Sequence, residues 1–122
     1  MRMRCAVYAR YSSDRQSPAS IEDQLRTCRE YAIKENWEFL DQQVYIDVEL
    51  SGAGADRPAY VRLLRSIVQV PKPFDMLLVD DTSRLTRNRG DLEKLFERLN
   101  FWRFDWWPCR RALTPMTSNQ MF

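Results

Sequence analysis

Apolar residues fall into short runs and helical stripes that alternate along the chain. Cys5-Ala6-Val7 opens the first run, and a buried strand is expected over residues 5–9. A polar stretch from Ser12 to Ala19 then reads as a loop. Ser20 opens a helix, with Asp23 three residues on in a capping-box arrangement. Ile21, Leu25, Cys28 and Ala32 recur on one face at helical spacing, and the pattern fades near Asn36. Val44-Tyr45-Ile46 predicts a second strand. The segment Asp47 to Asp56, with Ser51-Gly52-Ala53-Gly54 at its centre, predicts a loop. Pro58 suits the first turn of a second helix, whose stripe would be Val61, Leu64 and Val68 before Pro71 and Pro73 stop it. Met76-Leu77-Leu78-Val79 is continuously apolar, as in a parallel strand covered on both faces. A loop from Asp80 to Gly90 precedes a third helix carrying Leu92, Leu95, Phe96 and Leu99.

This alternation predicts an α/β fold, a mostly parallel sheet flanked by helices. In such sheets ligands gather at the carboxyl ends of the strands. The segments leaving those ends hold Arg10 and Ser12, then Asp56-Arg57-Pro58, then Asp80-Asp81-Thr82-Ser83-Arg84-Leu85-Thr86-Arg87-Asn88. Gln24 is available from the first helix. A hydroxyl among several guanidinium groups suits attack on a phosphodiester. That anion gains charge in the transition state, and preorganised arginines stabilise it without a metal.

Composition narrows the chemistry. The chain has 122 residues, 44% of them hydrophobic, enough for one domain with a core. Histidine is absent, which removes Ser-His-Asp catalysis and most zinc chemistry. No cofactor is expected, and catalytic cations must be arginine or lysine. Net charge is only +2, so contact with nucleic acid must come from local arginine clusters. Cys5, Cys28 and Cys109 show no CxxC spacing and read as small core fillers. No apolar run approaches the roughly 18 residues of a membrane span. The basic Met1-Arg2-Met3-Arg4 start lacks the apolar region of a signal peptide. A cytoplasmic location with no membrane contact is expected.

Motifs in register sharpen this picture. They are Tyr8-Ala9-Arg10-Tyr11-Ser12-Ser13, Ser20-Ile21-Glu22-Asp23-Gln24, Ser51-Gly52 with Asp56-Arg57-Pro58, and Ser83-Arg84-Leu85-Thr86-Arg87. In order and spacing the chain resembles the serine recombinases, the resolvase/invertase family, over residues 4–101. The gap containing Ser51-Gly52 and the serine at Ser83 look more like the large serine recombinases than the small resolvases. Many small enzymes carry aspartate at the Ser83 position, so a role depending on that carboxylate is not carried over. The resemblance implies that Ser12 attacks a DNA phosphate and forms a 5′-phosphoserine link. It implies that Arg10, Arg57, Arg84 and Arg87 bind and neutralise the phosphate, and that Gln24 helps to position the site. It also implies DNA as partner and a homo-oligomer, a tetramer built from dimers.

Plainer readings stand beside these roles. Arg84 and Arg87 could form a solvated face, as could Arg89. Arg57 could pair with Asp56 on the surface. Asp80 and Asp81 read as a strand end entering a loop, Gln24 as a polar helix position, and Tyr8 and Tyr11 as packing residues. Two other functions compete: a non-catalytic remnant that binds a recombinase partner, and a phosphate- or nucleotide-binding α/β domain. The second has no GxGxxG or GxxxxGK[ST] loop to support it.

The chain divides into an incomplete catalytic domain, residues 1–101, and an aberrant tail, residues 102–122. Trp102 to Arg111 shows no helix or strand period where the family pattern brings a fourth core strand, roughly Gly-Val-Arg-Leu-Val-Ala-Val-Ser. That strand is expected to be missing, leaving a truncated product without activity of its own. The tail fits a frameshift. Trp106-Trp107 fixes TGGTGG, and reading each codon from the last base of the old one between Arg103 and Gln120 permits VRLVAVSQGIDTDDIQSD. Sequencing the gene across codons 100 to 104 decides this: with no single-base slip that restores a longer frame, the idea fails.

Overall fold

The computed structural model describes residues 2–12, 20–49, 57–85 and 89–109, with the side chains of Ser12 and Glu49 excepted. Its strands are β1 (Arg4–Ser12), β2 (Glu38–Glu49), β3 (Met76–Val79) and β4 (Asp105–Pro108). Its helices are α1 (Ile21–Lys34), α2 (Pro58–Ile67) and α3 (Arg89–Phe101), with a short 3-10 turn at Thr82–Arg84. The strands form one parallel sheet in the order β2-β1-β3-β4.

Helices cover both faces of the sheet. On one side Ala6, Tyr8, Leu77 and Val79 pack with Leu63 and Ile67 of α2 and Leu95 and Leu99 of α3. On the other, Cys5, Val7, Met76 and Leu78 pack with Cys28 and Ala32 of α1. Neighbouring strand residues point to opposite faces, so a central strand covered twice must be apolar at every position. Arg4 sets the register at the amino edge. Its main-chain N–H and guanidinium both donate to the Asp75 carboxylate, at 3.0 and 3.1 Å, joining the starts of β1 and β3. The three cysteines are free and buried. Among the described residues no helix is long and apolar enough to cross a membrane.

Several expectations are corrected. The fourth strand is present: Asp105–Pro108 pairs in parallel with Met76–Val79. Trp106 and Trp107 supply the two-faced alternation that a strand requires. Trp106 stacks on Phe96 of α3 at 4.0 Å, while Trp107 joins Tyr31 and Trp37 beside α1. Pro108 is tolerated because β4 is an edge strand. β2 is far longer than Val44–Ile46. Its pairing with β1 steps from Cys5↔Phe39 to Val7↔Val44, so polar Asp41-Gln42-Gln43 bulges from the edge and hides the strand's first half. The buried stripe of α2 is Ala59, Leu63, Ser66 and Ile67, whereas Val61 and Val68 are exposed. Ser66 is admitted to the interior by a 2.7 Å hydrogen bond with the Tyr45 hydroxyl.

Candidate active site

Segments leaving three strand ends lie at the carboxyl edge of the sheet. β1 runs on through Arg10 and ends at Ser12, with Arg10 opposite Asp47 of β2 and Ser12 opposite Glu49. Gln24 holds this exit from below. Its side chain is fully buried in α1, accepts from the Arg10 main-chain N–H at 3.0 Å and donates to the Arg10 carbonyl at 2.9 Å. The amide thus completes the backbone of β1 two residues before its end. Gln24 is placed for this because α1 starts at a fixed point: Ser20 accepts from the Asp23 N–H at 3.1 Å and caps the helix.

Arg57 occupies the N-cap of α2 without a side-chain cap of its own. The missing cap comes from β2. Asp47, buried, accepts from the N–H groups of Ala59 at 2.9 Å and Tyr60 at 3.0 Å. It also accepts from the Tyr8 hydroxyl at 2.7 Å. Tyr8 in turn accepts from Arg57 Nε at 3.3 Å and Nη2 at 3.0 Å. Burial and the hydrogen bond to Asp47 push the Tyr8 phenol up, and the Arg57 charge only partly offsets this. Tyr8 therefore stays a neutral donor. Arg57 also lies over the Tyr60 ring at 4.2 Å, a cation–π contact that fixes its plane.

The third strand end brings Arg84. Arg57 Nη2 donates to the Arg84 carbonyl at 3.0 Å, which ties the start of α2 to the 3-10 turn. The Arg84 side chain pairs with buried Asp80 at 2.8 Å. Beside Arg57 a cleft of about 200 Å³ opens between α2 and α3, with Tyr60, Lys94, Arg98 and Asp91 among its walls.

The structure thus brings Arg57 and Arg84 into direct contact and seats Gln24 against the main chain of Arg10. Arg87, Asp56 and Ser51-Gly52 lie outside the described residues, as does the Ser12 side chain. Three residues of the assembly are missed by sequence reasoning: Asp47 as part of a loop, Asp80 as a strand end, and Tyr8 as a packing residue. Tyr8 and Asp47 meet across strands 39 residues apart, and Asp80 meets Arg84 only because the 3-10 turn folds that side chain back. An acidic residue ending an apolar run, as at Asp47 and Asp80, is the one signal available.

Comparison with known proteins agrees with this architecture. The family model described as Resolvase, N terminal domain, matches residues 5–103. Among solved structures, the N-terminal catalytic domain of TP901-1 integrase superposes with a TM-score of 0.72 at 29% identity, over 89% of this chain and 78% of that one. The C-terminal catalytic domain of ISC1926 TnpA, an IS607-like serine recombinase, shares the fold with a TM-score of 0.68 at 22% identity, over 98% of this chain and 75% of that one. No curated protein sequence matches the chain. The chain belongs to the resolvase family of serine recombinases and carries the family's N-terminal domain.

Proposed function

We propose that this domain cleaves and rejoins DNA strands through a phosphoserine intermediate. Ser12 Oγ gives up its proton and attacks the phosphorus, the bond to the 3′ oxygen breaks, and that oxygen takes up a proton to leave as the 3′ hydroxyl, so overall one proton passes from serine to the leaving group. The 5′ phosphate stays on the serine until the reverse attack by a 3′ hydroxyl reseals the strand. Arg10, Arg57, Arg84 and Arg87 balance the charge that builds on the non-bridging oxygens. Gln24 keeps the end of β1 in place. Exchanging two duplexes means cutting four strands, so complete recombination calls for several protomers acting together.

The observation that carries this reading is the bond from Arg57 to the Arg84 main chain at the edge where β1 ends. Two guanidinium-bearing elements are locked to each other there before any substrate arrives. Such preorganisation is what electrostatic catalysis of phosphoryl transfer requires. The test mixes the chain with a pool of nicked duplexes of randomised centre and looks for covalent protein–DNA adduct after denaturation. With β4 in place the missing strand no longer argues for an inactive chain, so the parent is expected to form it and Ser12→Ala to form none. Adduct from both would remove Ser12 as nucleophile, and no adduct from the parent would remove the cleavage reading.

A further inference from the structure

We propose that Asp80 is a positioning residue that orients the Arg84 guanidinium, and that this double duty makes arginine, not lysine, necessary at position 84. The proposal rests on the phosphate-binding role assigned to Arg84 above. Asp80 is fully buried at the carboxyl end of β3. Arg84 lies four residues on, in the 3-10 turn, and its side chain is only 11% exposed. The contact is side-on and two-pronged: Nε donates to Oδ1 at 2.8 Å and Nη2 to Oδ2 at 3.3 Å. A planar guanidinium bonded along one edge has no remaining rotation, so the direction of its other edge is set as well. That second edge, Nη1 and the other Nη2 hydrogen, lies outside the pair and has the fork geometry that suits two phosphate oxygens.

The main chain of Arg84 is fixed independently of its side chain. Arg57 Nη2 bonds its carbonyl at 3.0 Å. The Asp81 side chain caps the turn by accepting from the Ser83 N–H at 3.4 Å. Asp80 holds one edge of that side chain. Ser83, adjacent to Arg84, bears no charge, so the carboxylate comes from beneath the turn instead. A buried carboxylate is costly to leave unpaired, which makes the geometry stiff. Lysine presents a single ammonium and cannot hold the carboxylate and grip a phosphate through two separate edges.

Two readouts on the chain test this. The first is proton exchange at arginine Nε–H by 15N NMR, which needs no activity. In the parent the Arg84 Nε–H should exchange at least about tenfold more slowly than that of free arginine. Asp80→Asn should erase that protection while the backbone spectrum persists, and Asp80→Glu should restore part of it. Parent exchange at the free rate, or protection surviving in a folded Asp80→Asn, overturns the proposal. The second readout is the rate of adduct formation on the nicked duplex pool. Arg84→Lys keeps the buried charge paired, should fold, and should slow the adduct by roughly 100-fold, with Asp80→Asn slowing it by about tenfold or more. Asp80→Asn and Arg84→Lys combined should cost no more than the worse single change, because both break one unit. Full activity of Arg84→Lys would refute the two-edge requirement. A parent that forms no adduct yet protects Arg84 Nε–H through Asp80 would end the cleavage reading and leave the positioning role standing.

Discussion

Asp47 shows how one side chain can join three elements. Its carboxylate receives the Tyr8 hydroxyl from β1 and two N–H groups from the first turn of α2. It acts as the N-cap that Arg57 cannot supply, from a residue well upstream in sequence. Replacing it with alanine would strand all three donors in a buried space. Asp47→Ala should cost about 3 kcal/mol, read as a lower urea midpoint at unchanged slope. A loss under about 1 kcal/mol would mean that water or a neighbour replaces the carboxylate. The same change should free Arg57, because Tyr8 loses the acceptor that orients its hydroxyl. Arg57 was legible as a candidate from the Asp56-Arg57-Pro58 motif. Its clamp was not, because strand pairing brings Tyr8 and Asp47 together and no local pattern announces that.

Helix ends in this chain share a device. After α1, Asn36 takes φ of 61°, its N–H bonds Ile33 O at 3.1 Å, and the Trp37 N–H bonds Ala32 O at 2.8 Å. After α3, Arg103 takes φ of 65°, and Phe104 N–H bonds Leu99 O at 2.8 Å. Both are left-handed caps that hand the chain to a hydrophobic residue and turn it toward the next strand. Asparagine tolerates that conformation, whereas arginine pays the Cβ clash. Arg103→Gly should therefore stabilise the domain by about 1 kcal/mol, seen as a raised urea midpoint. No gain would show that the Arg103 side chain makes compensating contacts. The Lys72 ammonium donates to the Arg103 carbonyl, which every residue at 103 keeps, so that bond should survive. At this scale the helices were readable from periodicity, yet α2 buries a different stripe from the one expected. Ser66 counts as polar in a sequence pattern but is interior once the Tyr45 hydroxyl meets it.

The sheet sandwiched between two helical layers governs how the whole molecule titrates. Cys5 and Tyr8 sit on opposite faces of β1, each fully buried. Burial pushes the Cys5 thiol up from 9.0 to about 12, with nearby Cys109, Asp75 and Glu38 adding to the effect. The Tyr8 phenol is raised too. Folding thus holds both protons more tightly than the unfolded chain does. Their contribution is fully present below the ordinary thiol value and is lost as pH climbs toward the folded value. Urea midpoints should be flat from neutral pH to about 9 and fall between about 9 and 12. The buried Cys28 thiol, raised by its hydrogen bond with Cys109 and by burial, shares the first part of that fall, so Cys5→Ala should make it shallower without removing it. An equal alkaline loss in Cys5→Ala and the parent would show that Cys5 does not control it. The same packing explains β4. The slot beside β3 accepts Asp105–Pro108 because Trp106 and Trp107 fill the two faces next to Phe96 and to Tyr31 and Trp37.

The alternation from β1 to α3, the parallel α/β class and the absence of histidine were legible in the sequence alone. Each follows from local periodicity or composition, which needs no knowledge of distant contacts. The motifs around Arg10, Ser12, Gln24, Arg57 and Arg84 were legible for the same reason. Only the tertiary structure decided that Gln24 supports the Arg10 main chain, that Asp47 caps α2, and that Asp80 grips Arg84. It also decided that two adjacent tryptophans complete the sheet. Those outcomes depend on which surfaces strand pairing, turns and helix packing bring together, and a residue's own neighbours in the chain do not mark which of them it will meet.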